Sequence, residues 1–126
     1  MTGTSVGFTM SQPTIDGWAV LSGDHNPLHV SPEFARETQF GGTIAHGHFS
    51  LAVMEGLMLR LVGERWLHGG ALRDVRFLSP VRPGGAFDVV AEPDAGSAGC
   101  EWLVEVRARA DGTVAARGRA VLAEDT

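Results

Sequence analysis

One segment limits the possible folds more than any other. Residues 46–62, HGHFSLAVMEGLMLRLV, carry apolar side chains at Phe49, Leu51, Ala52, Val53, Met54, Leu57, Met58, Leu59, Leu61 and Val62. On a helix these positions reach nearly every face, and a helix apolar all round has to be enclosed by other structure. The stretch is too short to span a bilayer and is interrupted by Glu55 and Arg60. Its cover must therefore come from protein.

The chain after this helix changes period from about 3.6 to two. Residues 71–78, 86–91, 101–109 and 113–122 read as strands, with Trp102, Val104 and Val106 on one face of the third. Asp111-Gly112 marks a tight hairpin between the last two, and DAGSAG at 94–99 reads as another hairpin turn. Upstream, residues 4–9 suggest a further strand, and Ile15, Trp18 and Ala19 are spaced for a short helix over 13–22. The expected fold is α+β, a single antiparallel five-stranded sheet wrapped around one long helix over residues 1–126. The sheet's outer face or edge would need a second copy for closure, which points to a homodimer. At 126 residues the chain can bury roughly two-thirds of its unfolded surface without a disulfide or metal staple.

Composition excludes several functions. A net charge of −5 argues against nonspecific binding to nucleic acid or to anionic membranes. Cys100 is the one cysteine, so no internal disulfide or CxxC site is expected. The N-terminus, MTGTSVGFTM, does not read as a secretory signal, and a cytoplasmic location is expected by default.

Residues 23–45 form a long Gly-, Pro- and Asn-rich stretch, with room for a turn or two of helix at Pro32–Arg36. Long loops inside small domains are usually functional. Asp24 and His29 lie here, with Asn26-Pro27 bending the chain between them. A carboxylate and an imidazole held together can share a water, one taking its proton and the other orienting it. On spacing alone, Asp24 as a turn cap and His29 as an ordinary loop histidine is the readier account, because an aspartate five residues before a histidine is common by chance. His46-Gly47 opens the long helix. The first N–H groups there lack intrahelical partners, and glycine admits close approach, so a substrate carbonyl could be polarised. Gly47 as a plain helix-entry residue is the simpler alternative.

The run SGDHNPLHVSPEFARETQFGGTIAHGHFSLAV (22–53), followed by VRFLSPVRPGGAF (75–87), closely resembles the MaoC-like, R-specific enoyl-CoA hydratase family of the hotdog fold. The resemblance covers roughly residues 18–90. It implies a hydratase or dehydratase acting on an enoyl or 3-hydroxyacyl thioester. Asp24 and His29 would activate water, and the Gly47 N–H would hold the thioester oxygen. Asn26 would orient the loop, and His46 would join it among the substrate-binding residues. No metal or redox cofactor is implied, because the substrate carries its own CoA or phosphopantetheine handle, on acyl-CoA or an acyl carrier protein.

Two positions depart from the family pattern. His48 stands where an apolar residue such as methionine is usual, and Glu55 stands where a small serine occurs. Seven residues apart, they share nearly one helix face. Either they line the acyl pocket and select an unusual substrate, or Glu55 pairs with an arginine or reaches a wet boundary. The first option raises a specialised dehydratase or cyclase acting on a carrier-bound intermediate. A non-catalytic thioester-binding subunit is the reading furthest from these.

Overall fold

The long helix is the centre on which the sheet is built. The computed structural model describes residues 4–97 and 99–123. Its elements are β1 (Thr4–Thr9), α1 (Gln12–Ser22), α2 (Pro27–Val30), α3 (Pro32–Arg36), α4 (Gly47–Val62), α5 (Glu64–Gly69), β2 (Gly70–Phe77), β3 (Ala86–Pro93), β4 (Glu101–Ala108) and β5 (Val114–Leu122). The five strands form one antiparallel sheet in the order β1-β3-β4-β5-β2. Both α4 and the alternating strands thus follow the periodicities of the sequence.

Met54, Leu57 and Met58 of α4 are fully buried in a core with Phe87, Val89, Val104 and Val106 of the sheet. Burying a side chain of this size contributes about 1.5–3 kcal/mol. One expectation needs correction, because α4 is not enclosed all round. His48, Ala52, Gly56, Leu59 and Arg60 form an exposed stripe. A sheet can wrap only one side of a helix, and of this stripe His48 and Arg60 are polar while Ala52 and Gly56 are small enough to need no cover.

Local signals fix the ends. Ser11 accepts the Thr14 N–H at 3.2 Å and starts α1, and Gly23, at φ 81°, ends it in the left-handed conformation. Two helices were not expected. α2 is four residues long, too short for any periodicity, and rests on the Asn26 cap and Pro27. α5 occupies what reads as a Gly-rich turn and is anchored by the buried Trp66.

The outer face of the sheet is covered by charge pairs. Glu105, on the middle strand and only 4% exposed, takes Arg107 and Arg117 at 2.6 Å each. Arg109 pairs with Asp88, and Arg119 pairs with Asp94 and Glu101. That face therefore has its own polar cover and needs no second copy. The open places are the two edge strands. At one of them, β2 bulges between Arg73 and Arg76 opposite Gly118. Asp74 there takes φ 55°, and a Cβ on Gly118 would stand 3.1 Å from Val75. Such a bulge bends and twists a sheet edge.

Burial alone would push the Glu105 carboxyl up. The hydrogen bonds and charges of Arg107 and Arg117 outweigh it and hold the group below its usual 4.5. Its contribution to stability is thus complete above pH 4.5 and is lost as pH falls through the lower folded-state value. Glu105→Gln should lower the unfolding free energy by about 2 kcal/mol at neutral pH. In urea titrations the gap between variant and parent should narrow below pH 4.5.

Candidate active site

The loop after α1 is shaped by short side-chain-to-backbone bonds. Ser22 Oγ accepts the Asp24 N–H at 3.2 Å, Asp24 Oδ1 accepts the Asn26 N–H at 3.1 Å, and Asn26 Oδ1 accepts the Leu28 N–H at 3.0 Å. Ser, Asp and Asn are the residues that form such turns. Together they carry the chain into α2, whose third residue is His29.

His29 Nδ1 lies 2.8 Å from the Ile44 carbonyl. A carbonyl only accepts, so Nδ1 carries a proton, and in the neutral ring Nε2 is then the nitrogen with the free lone pair. His46 is 2% exposed, and its Nε2 donates to the Asp24 carbonyl at 2.9 Å. Its Nδ1 is then the unprotonated nitrogen and has no partner among the described residues. Burial lowers the His46 pKa below 6.5, with the Asp24 carbonyl opposing, so the ring is neutral at pH 7. The His29 and His46 rings stack with centroids 4.0 Å apart. One ligand-type atom from each of Asp24, His29 and His46 lies within 4.8 Å of the others. Asp24 and His29, the expected acid–base pair, are thereby brought together, and among the described residues these two and His46 form a group that could hold a metal ion.

The Asp24 carboxyl sits below its usual 3.8, chiefly because the Asn26 N–H donates to it. Desolvation opposes this, while the His48 side chain and the charges of His29 and His46 add to it. Asp24 is therefore ionised at neutral pH.

Beside His29 and His46 lies a cavity of about 330 Å³ whose lining includes Gly47, Ser50, Phe40, Ile44, Phe77 and Val81. Gly47 is the first residue of α4, and its N–H has no hydrogen-bond partner among the described residues. The Phe77 ring leans over it, so a Cβ at position 47 would stand 3.0 Å from Cζ. Glycine thus permits the close approach of that ring, which any side chain here would have to push back by a few tenths of an ångström.

Three expected substrate-binding residues lie outside this cavity lining. Asn26 is exposed and caps α2. His48 turns to α1, where its Nδ1 accepts the Trp18 indole N–H at 2.5 Å, and its Nε2 faces Asp24 Oδ2 at 3.5 Å. Glu55 accepts the Trp66 indole N–H. The helix continues past the cavity, and α5 folds back to supply that indole donor, so the pocket role for Glu55 is corrected. Its partner is a tryptophan rather than an arginine. His46 does line the cavity, but its one donor is committed to the loop.

The MaoC like domain family model matches residues 2–114. The chain belongs to this family. It is similar to the 3-hydroxybutyryl-CoA dehydratase of Methylorubrum extorquens, with 36% identity over 86 residues, covering 66% of this chain and 52% of that protein. It is also similar to 3-hydroxyacyl-thioester dehydratase Z of Mycobacterium tuberculosis, with 38% identity over 85 residues, covering 65% and 56%. The chain spans about half the length of these curated relatives. Among solved structures, the (R)-hydratase from A. caviae involved in PHA biosynthesis superposes with a TM-score of 0.79 over 96% of this chain and 94% of that one. At 24% identity it shows the shared hotdog fold. Among the described residues of this MaoC-like chain, no helix is long and apolar enough to cross a membrane.

Several members of the site are not evident from sequence. Trp18 is spaced as a core residue of α1, and nothing marks its N–H as a ligand for His48. The Ile44 carbonyl carries no side-chain signal. Ser50 and Phe77 become visible only when the start of α4 meets the end of β2. Glu55→Ala should leave acyl chain-length preference unchanged while lowering thermal stability, because the buried Trp66 loses its acceptor. A substrate panel read beside a melting curve checks both halves.

Proposed function

We propose that this MaoC-like domain catalyses reversible hydration of a trans-2-enoyl thioester to a 3-hydroxyacyl thioester. The observation that carries the reading is that His29 and the Gly47 N–H, at the positive end of α4, line one cavity, while the ionised Asp24, which is not part of that lining, keeps a carboxylate oxygen within 4.8 Å of a His29 ring nitrogen. In the hydration direction, a water between Asp24 and His29 bonds through its oxygen to C3. The pair takes one of its protons and returns that proton to C2, while the other stays on the new hydroxyl. Negative charge develops on the thioester oxygen in between, where the Gly47 N–H and the helix N-terminus stabilise it. The names of the two curated relatives, both thioester dehydratases, support the same reaction class.

In this reading Asn26 and His46 hold the loop, and the pantetheine arm on CoA or a carrier protein is the substrate's own handle. No metal or redox cofactor takes part. The protein acts in the cytoplasm on acyl chains of fatty acid or polyketide type, and as a homodimer paired through a sheet edge. The outer face, already covered by its charge pairs, favours edge pairing. The specialised cyclase reading depended on His48 and Glu55 lining the pocket, and it loses that support. A purely binding role leaves the assembled acid–base pair unexplained.

The test is the loss of enoyl absorbance when the purified protein meets crotonyl-CoA and longer trans-2-enoyl-CoAs. Asp24→Asn and His29→Ala should each lower kcat by about two orders of magnitude or more, with folding intact. Gly47→Pro removes the donor at a position where proline suits a helix start, and His46 already holds the φ −63°, ψ 140° that a following proline requires. Because the proline also brings a Cβ that would crowd Phe77, Gly47→Ala, which adds the same Cβ but keeps the N–H, is the control, and Gly47→Pro should lower kcat about 10²-fold relative to it. Wild-type rates in Asp24→Asn, His29→Ala and Gly47→Pro would overturn the mechanism.

A further inference from the structure

We infer that His48 is a positioning residue for the Asp24 carboxylate, held in the required tautomer by Trp18. The inference rests on the acid–base reading of Asp24. An indole N–H can only donate, so the 2.5 Å contact from Trp18 Nε1 makes His48 Nδ1 the acceptor. The ring's remaining proton is therefore on Nε2, the nitrogen 3.5 Å from Asp24 Oδ2. Trp18, His48 and Asp24 form a relay in which α1 orients a side chain of α4, and that side chain faces the loop carboxylate.

The packing supports a fixed ring. The Trp18 and His48 ring centroids lie 5.6 Å apart, and Trp18 also meets Phe49 edge-on at 5.3 Å. His46 sits 5.2 Å from His48 on its other side. Asp24 Oδ1 is held by the Asn26 N–H, so the oxygen that faces His48 is the second one, Oδ2. Besides His48, the titratable groups facing Asp24 are His29 and His46. A methionine at position 48 would offer neither the acceptor for Trp18 nor a donor facing Asp24. Groups that orient a functional side chain in this way typically change its effectiveness by about 10–100-fold in metal sites, and a similar scale applies to a general base.

The experiment compares His48→Met, His48→Gln, Trp18→Phe and the His48→Met/Trp18→Phe pair on crotonyl-CoA. His48→Met should lower kcat about tenfold with KM within about twofold, because His48 lies outside the cavity. Glutamine, with one acceptor and one donor, should recover part of that loss. Trp18→Phe should lower kcat alone but add nothing in the His48→Met background, since it acts only through the imidazole. The acid limb of kcat/KM should move to higher pH in His48→Met, because Asp24 loses a donor to its charged form. A purely structural role would leave that limb in place.

A second readout needs no turnover. Long-range proton–nitrogen spectra should show His48 protonated at Nε2, and the carbon-detected titration of Asp24 should shift upward in His48→Met. If the wild-type protein hydrates no thioester, the proposed function falls, and these spectra still decide the positioning contact. An unshifted Asp24 titration, wild-type kcat in His48→Met, or additive loss in the double variant would each overturn the inference.

Discussion

The hydrogen bond from His46 to the Asp24 carbonyl is the contact on which the rest of the site depends. It ties residue 24, in a loop with little regular structure, to the residue that caps the long helix. The loop thereby inherits the rigidity of the core, because Met54, Leu57 and Met58 pin that helix to the sheet. The stack of His46 on His29 extends the same anchorage to the far end of the loop. Breaking it would leave the backbone carbonyl and a buried imidazole without partners, which in an apolar setting costs about 1–3 kcal/mol per group. The geometry of this site comes from a loop bonded directly to the scaffold rather than from the loop's own structure.

This arrangement also separates roles that the sequence presents together. The three histidines at 29, 46 and 48 lie within one patch, yet each has a different acceptor or donor. His29 is fixed by the Ile44 carbonyl, His46 by the Asp24 carbonyl and His48 by the Trp18 indole. The partner decides the tautomer, and the tautomer decides whether a ring offers a lone pair or a proton to the space around Asp24.

The parts legible in the sequence are those governed by local periodicity or by turn chemistry. The strand over 4–9, the short helix at Pro32–Arg36 and the hairpin at Asp111-Gly112 are all found at those residues. The Asp24–His29 pair was legible only through the resemblance of residues 22–53 to the MaoC-like family, because the bend at Asn26-Pro27 by itself suits a turn cap and a loop histidine. What was not legible depends on residues distant in sequence. Glu55 stands on the same helix face as His48, and only the return of α5, bringing Trp66 beside it, decides its partner. The exposed stripe on α4 escaped notice because alanine and glycine count as apolar without requiring burial. Trp18 was read by its spacing as core, since an indole's hydrophobic bulk conceals its single donor.

The lattice of charge pairs on the outer sheet has a chemical consequence of its own. Every basic side chain in it is an arginine, as are all 10 in the chain. Thioesters acylate free amines without any enzyme, and a lysine beside a working thioester enzyme is open to that reaction whenever it sheds its proton. A guanidinium keeps its proton at any physiological pH. Under the proposed thioester chemistry, the pairs around Glu105 hold the sheet together with a cation that the substrate cannot consume.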